Sequence, residues 1–475
     1  MSYYAVLGAA TFLFLLLGLA IWAKTRSIAF VVGLAFAYYW TLWGGWFIVY
    51  DLNGGNSGLL YDYLYYKLFP IHLDSDYFWA LVLYSTFILF IEIALLFSTR
   101  CNIPQLPVRP IRISHSKMLF IAVVSGILSF WIVKDTLSSA ASLGLMAYHF
   151  VYQDTSISRL FTLHQILNRI CLFTTTMGLA IYSSGPTAKY IVGHGKSTHR
   201  ALYLIVLSGI FVMNLRLGFR HYMVVSFLTS ALFYLVNARR LKRITLVVAC
   251  STALLAVGIV GMTRGAGVSE TVGDMGGISK AAVAPLGSYV VSNEPFAAHI
   301  SMYGTLHKNI GLTYGSSVIA FLASAIPRAL WLNRPAEIYT YYAFEVGAVE
   351  GQGYTIHHAT GWYLNFGTLG VAIGGLLLGW IWGTLWTRFQ QVARARSYWG
   401  RIFRAIAFWS FTASISTVMR GGPEVYKLVL VEELLIPTLI LGVAGLRLVL
   451  QFNRPRLLLG EDSLFTVRQG IGFES

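Results

Sequence analysis

The fold class this sequence predicts is an all-α protein that crosses a membrane many times, and three observations predict it. Of 475 residues, 56% are hydrophobic and only 11% are charged, whereas a soluble domain carries about a quarter of its residues as charges. The mean hydropathy is +0.65. Apolar runs approaching the ~20 residues that span the hydrocarbon core as a helix recur along the chain. The formal charge of +16 does not point to nucleic acid, because in such proteins basic residues gather in cytoplasmic loops and set orientation.

Eleven runs qualify in order. The first, residues 5–23, is followed by its charges Lys24 and Arg26, so it reads as a span and not as a cleaved signal. Runs at 27–50, 78–98, 117–134 and 161–182 follow, then two short ones at 201–213 and 221–237, and 243–261 completes eight. Residues 262–360 form one long loop. Spans at 361–385, 403–418 and 430–450 come next, leaving a tail at 451–475. The segments are therefore 1–261 (spans one to eight), 262–360 (loop), 361–450 (spans nine to eleven) and 451–475 (tail). Cys101, Cys171 and Cys250 share no metal or disulfide spacing and read as unpaired thiols.

Lysine and arginine choose the orientation. Twenty-two of 35 fall in one alternating set of loops and the C-terminal tail, counting the span ends that border them, which places that set in the cytoplasm and the N-terminus outside. Thirteen of 19 carboxylates fall on the other side. The 262–360 loop is then external. Inside it, 283–305 and 313–332 have helical apolar spacing interrupted by Pro and ionisable residues, as expected of interfacial or re-entrant helices. Long loops on a rigid scaffold are where sites are commonly built.

The outer face carries arginines against the prevailing bias: Arg216, Arg220, Arg264, Arg328, Arg334 and Arg420, with Arg169 near the outer end of the fifth run. Orientation alone would use lysine as readily, whereas a bidentate fork for phosphate oxygens favours arginine. Taken singly, each is as well explained by snorkelling or a structural ion pair. Taken together on one face, they point to a function. Histidines accompany them, among them His221, His299, His307, His357 and His358. Asp74-Ser-Asp76 has the spacing of a carboxylate pair that could hold a cation. Hard cations want several oxygen ligands and none lies near in sequence, so no metal and no cofactor is expected. Gly-rich nucleotide loops and zinc spacings are absent from the sequence.

One family matches these residues. Gly218-Phe-Arg220 leads into an apolar run, Arg264 follows the next, and Ile326-Pro-Arg-Ala-Leu-Trp-Leu-Asn-Arg-Pro335 precedes Tyr342-Ala-Phe-Glu345. Tyr363-Leu-Asn-Phe-Gly-Thr-Leu-Gly370 and Met419-Arg420-Gly-Gly complete the ordered set, over about 210–435. In this the chain resembles the Wzy-type polysaccharide polymerases of bacterial envelopes. It departs from them at Phe219, where members often carry a small or hydroxyl residue, and at Arg216 and His221, which are not generally shared.

The resemblance implies a GT-C-like membrane glycosyltransferase of the inner membrane, with its site facing the periplasm. It implies that a growing glycan passes from undecaprenyl diphosphate onto a new lipid-linked repeat unit. The partners it implies are the lipid-linked donor and acceptor, membrane lipids, a chain-length regulator and a flippase, with no nucleic acid. Arg220, Arg264 and Arg420 are expected to hold the diphosphate, with Arg216, Arg328 and Arg334 as further binding residues. His299, Glu345 and Glu294 are the candidates to accept the hydroxyl proton, His299 first because its ordinary pKa lies near neutral. The other readings are an O-antigen ligase delivering glycan to lipid A core, and a transporter or flippase for lipid-linked sugars. A transporter would be expected to show repeated halves and mid-membrane charges; in sequence, Glu92 is the main buried charge and no repeat is evident.

Overall fold

The computed structural model describes residues 2–55, 70–100, 109–142, 158–217, 221–238, 294–323, 337–348 and 355–446. Among them, seven helices are long and apolar enough to cross a membrane. These are α1 (Tyr3–Thr25), α2 (Ile28–Gly54), α3 (Ser75–Ser98), α4 (His115–Ser138, its helix running on to Ser142), α6 (Ser197–Leu217), α11 (His358–Gln390) and α14 (Val425–Gly445). Three more expected spans are helices that fall short of that measure. They are α5 (Ser158–Ser184), which carries more polar residues, and the shorter α7 (His221–Asn237) and α12 (Tyr398–Ala413). The run at 243–261 and the tail lie outside the described residues. The protein is all-α in its membrane part; the count of eleven is an expectation that the described residues neither complete nor overturn.

Packing follows from residue size. Along α11, Gly375, Gly379 and Gly383 recur every four residues against α3. A β-carbon on Gly375 would stand 2.5 Å from the Phe87 carbonyl oxygen, and one on Gly379 would run into the Ile91 carbonyl. Small residues spaced by four let two backbones approach closely, which is how helices associate where lipid offers no hydrophobic drive. Polar side chains bind the other helices. Asn168 of α5 and Asn214 of α6 exchange two hydrogen bonds at 2.8 Å, and Ser230 of α7 donates to Thr176 of α5 at 2.9 Å. At the heart, Trp382 packs on Phe30 and donates through Nε1 to Thr412 at 2.8 Å.

Two features depart from straight spans. α2 passes through a π-helical turn at Tyr39–Trp43 and a second at Asp51–Gly55, and α14 contains another at Val429–Leu435. π-turns add a residue to the helical circuit and frequently accompany functional positions. α11 bends at Phe366–Gly367, where Gly367 takes φ +64°.

Two three-residue strands, β1 (Ile111–Ile113) and β2 (Ile191–Gly193), pair in parallel. The Asn237 side chain at the end of α7 accepts from the Tyr190 and Ile191 amides and donates to the Ile191 carbonyl. These strands join two loops of the basic set.

The long loop contributes three described helices: α8 (Glu294–His307), α9 (Ser316–Ala323) and α10 (Ile338–Glu345). α8 answers the expectation of a helix at 283–305, and α9 that at 313–332, each over part of its range. α8 is no surface element. Phe296, Ala298, His299, Ile300, Met302 and Tyr303 are all buried against α3, the π-turn of α2 and α11. α8 therefore inserts among the spans, as a re-entrant segment does. Between α12 and α14 a short helix α13 (Ile415–Met419) ends at Arg420.

Candidate functional site

Three segments distant in sequence meet around the first turn of α11. His357 caps that helix, its Nδ1 accepting from the Ala359 amide at 3.0 Å, and its Nε2 lies 3.2 Å from the Thr41 hydroxyl. Its amide donates to the Ser301 hydroxyl of α8 at 3.0 Å. His358 donates through Nδ1 to the Gly421 carbonyl at 2.6 Å. Its Nε2 then accepts from Trp362 at 3.0 Å and from the Tyr426 hydroxyl at 3.1 Å. The bonds made by one ring nitrogen fix the other's role, so His358 is a neutral clamp on the turn that follows Arg420. Gly361 presses on the same turn: a β-carbon there would stand 2.5 Å from Gly422 Cα.

Arg420 is thereby held, half-buried, at the end of α13, and it is engaged by a further interaction. The chain continues from its turn straight into α14. The first turns of α14 wall an apolar cavity of about 230 Å³, through Tyr426, Val429, Leu430 and Leu434. Phe321 of α9, Leu377 and Ile381 of α11, and Phe411 of α12 complete it. No polar surface lines this groove.

Glu424 stands beside the same turn. Its Oε1 accepts from the Ile338 amide at 3.0 Å, so it caps α10 from another helix. Burial foremost, with Glu337 nearby, raises its carboxyl to about 7 despite the backbone amides that favour the charged form. Deeper, Arg169 of α5 pairs with both Glu432 and Glu433, donates through Nε to the Glu432 carbonyl at 3.1 Å, and lies over the Tyr222 ring at 5.4 Å. The π-turn of α14 carries these two consecutive carboxylates to one guanidinium. Such a set is paid for in desolvation, and removing one partner leaves an uncompensated charge.

The sequence-derived candidates separate. Arg420 stands at the clamped turn. Arg216 is exposed in the last turn of α6, and Glu345 is exposed at the C-terminal end of α10. Arg220, Arg264, Arg328 and Arg334 lie outside the described residues; Glu294 opens α8, and its side chain is also outside them.

His299 lies elsewhere than a residue open to the outer face would. It is 1% exposed, donates through Nδ1 to the Thr41 carbonyl at 2.8 Å, and has Tyr77 Oη at 3.3 Å from Nε2. Its ring stacks on Tyr84 at 4.9 Å. Burial lowers its imidazole to about 4, against the bond to Thr41. Both ring nitrogens are engaged within the core. Its ordinary pKa favoured His299 in sequence, but the five-position spacing of Glu294 and His299 does not reveal which face of α8 is buried.

No protein-family model, curated protein or solved structure matches this chain.

Proposed function

We propose that this protein is a membrane glycosyltransferase that polymerises lipid-linked oligosaccharide repeat units, of the Wzy type, acting at the outer face of the bacterial inner membrane. The observation that carries the reading is the pairing of a clamped arginine with an apolar groove. Arg420 stands on a turn fixed by His358 and Gly361, and that turn opens into the helix that walls the groove. A cationic turn leading into the wall of an apolar slot suits an amphipathic anion with a long tail, which is what a polyprenyl diphosphate is. Arginine supplies the forked donors that phosphate oxygens accept.

In the proposed reaction the bond from the donor glycan's anomeric carbon to its phosphate oxygen breaks, and the electron pair leaves with undecaprenyl diphosphate. A hydroxyl of the acceptor repeat unit forms the new bond to that carbon and gives its proton to a carboxylate. Glu345 and Glu294 are the proposed acceptors, because His299 has no free nitrogen facing outward. Arg420, with Arg220 and Arg264, would stabilise the charge developing on the leaving diphosphate, the interaction that accelerates such a step most.

One observation favours a second reading. The buried Arg169–Glu432–Glu433 set is the kind of intramembrane charge found on transport pathways, which suits a transporter of lipid-linked sugars. A defined lipid-linked repeat unit supplied to the purified protein separates the two: a polymerase lengthens the glycan, and a transporter moves it unchanged.

A further inference from the structure

We propose that Asp74, Asp76 and His307 form a binding site for one divalent cation at the outer end of α3. Asp74 and Asp76 open α3, and His307 closes α8, so the fold joins segments more than 200 residues apart. One donor atom from each residue lies within 4.8 Å of the others. His307 Nδ1 stands 3.9 Å from Asp74 Oδ2 and 3.8 Å from Asp76 Oδ2. Those separations are too long for hydrogen bonds. They are close to the ~3–3.5 Å between donors that share an ion at ~2.0–2.2 Å, so small side-chain rotations complete the set.

The donors are oriented from behind, as metal ligands commonly are. Tyr303, itself buried, donates its hydroxyl to Asp74 Oδ2 at 3.2 Å, and its oxygen stands 3.4 Å from His307 Nδ1, a contact that the ion would replace. Its ring stacks on that of His307, with centroids 5.1 Å apart and planes at 22°. Asp74 Oδ1 accepts from the Tyr77 amide at 2.9 Å, which leaves Oδ2 directed toward His307. Among the described residues neither carboxylate is paired with Lys or Arg, so two negative charges share one spot without a fixed counter-charge. The site faces outward, with Asp76 and His307 side chains 41% and 35% exposed. Its remaining coordination positions are open to water or to an oxygen ligand.

Two carboxylates with one imidazole suit Mn²⁺ or Zn²⁺ better than Ca²⁺, whose ligands are oxygens alone. The ion would tie α3 to α8. This assignment does not depend on the glycosyl-transfer reading, since it is tested by binding.

The experiment titrates purified full-length protein, stripped with EDTA, with Mn²⁺ and reads bound ion from the loss of the free-ion EPR signal. One ion per chain is expected. Asp76→Asn and His307→Gln should each weaken binding more than about tenfold, and Tyr303→Phe about tenfold through the lost support. His199→Gln, in the first turn of α6 and outside the site, should bind as wild type does. All three ligand side chains are partly exposed, and thermal unfolding confirms that the variants are folded. The proposal is overturned if the wild-type protein holds no stoichiometric ion, or if folded Asp76→Asn and His307→Gln proteins bind Mn²⁺ with unchanged affinity.

Discussion

Replacing Gly361 by alanine tests how closely the arginine turn must be held. The new methyl would stand 2.5 Å from Gly422 Cα and 3.3 Å from its nitrogen, where ordinary contact begins at 3.4 Å. Both contacts are backbone, so no side chain can rotate away and the turn itself must retreat by roughly 0.9 Å. Overpacking of this kind costs ~1–3 kcal/mol. A displacement of about 1 Å in a group that positions substrate costs on the order of 100-fold in rate. Gly209 of α6 supplies the comparison, because a β-carbon there meets nothing within 4 Å; its alanine variant should be as stable as wild type or gain ~0.4–1 kcal/mol. Thermal unfolding in detergent and the polymer ladder formed in cells lacking the native protein read the two effects. A Gly361→Ala protein with wild-type stability and a wild-type ladder would refute the argument that this contact fixes Arg420.

Arg420→Ala should reduce polymer by ~10–100-fold with normal membrane insertion, since one charge-assisted bond is worth ~1.5–3 kcal/mol, and lysine should restore only part of it; full activity in the alanine variant sinks the diphosphate role. His299 sits below its ordinary pKa, so the folded state binds fewer protons than the unfolded one: stability is flat above about pH 6.5 and falls as pH drops toward about 4. His299→Ala should flatten that decline while losing ~1–3 kcal/mol from the stranded Thr41 and Tyr77 partners, a pair of effects read by unfolding across pH. Glu424 is shifted the other way, so its burial weakens the fold as pH rises from about 4.5 to about 7. Glu424→Gln keeps an acceptor for the Ile338 amide and should be the more stable protein at pH 8; a less stable one contradicts the shift. Arg169→Met leaves Glu432 and Glu433 buried without their partner and should cost ~3–5 kcal/mol, seen as a lower unfolding temperature.

Apolar length was legible in the sequence, and it placed the seven apolar spans, the more polar α5 and the two shorter helices α7 and α12 within several residues. What it could not give were features that depend on who meets whom. The π-turns at Tyr39–Trp43 and Val429–Leu435 have no composition that sets them apart from the α-helix around them. β1 and β2 are three residues each, too short for an alternating pattern, and they exist because Asn237 satisfies their edge. Arg420 was legible as an arginine that the expected orientation puts on the disfavoured side, and its turn as Gly-Gly. His358 stood out in sequence only as one of several histidines accompanying the arginines, and its task, holding Gly421, is visible only in three dimensions. Likewise Asp74 and Asp76 were discounted for want of neighbours, and the fold supplies His307 from the far end of α8.

The most direct test of the account is transfer by the purified chain in a lipid nanodisc, given one defined repeat unit on undecaprenyl diphosphate. The account predicts a ladder of lengthening glycans, with one undecaprenyl diphosphate released for each bond formed. The absence of any lengthened product from folded protein, or movement of the intact lipid-linked unit across a bilayer without bond formation, would contradict it.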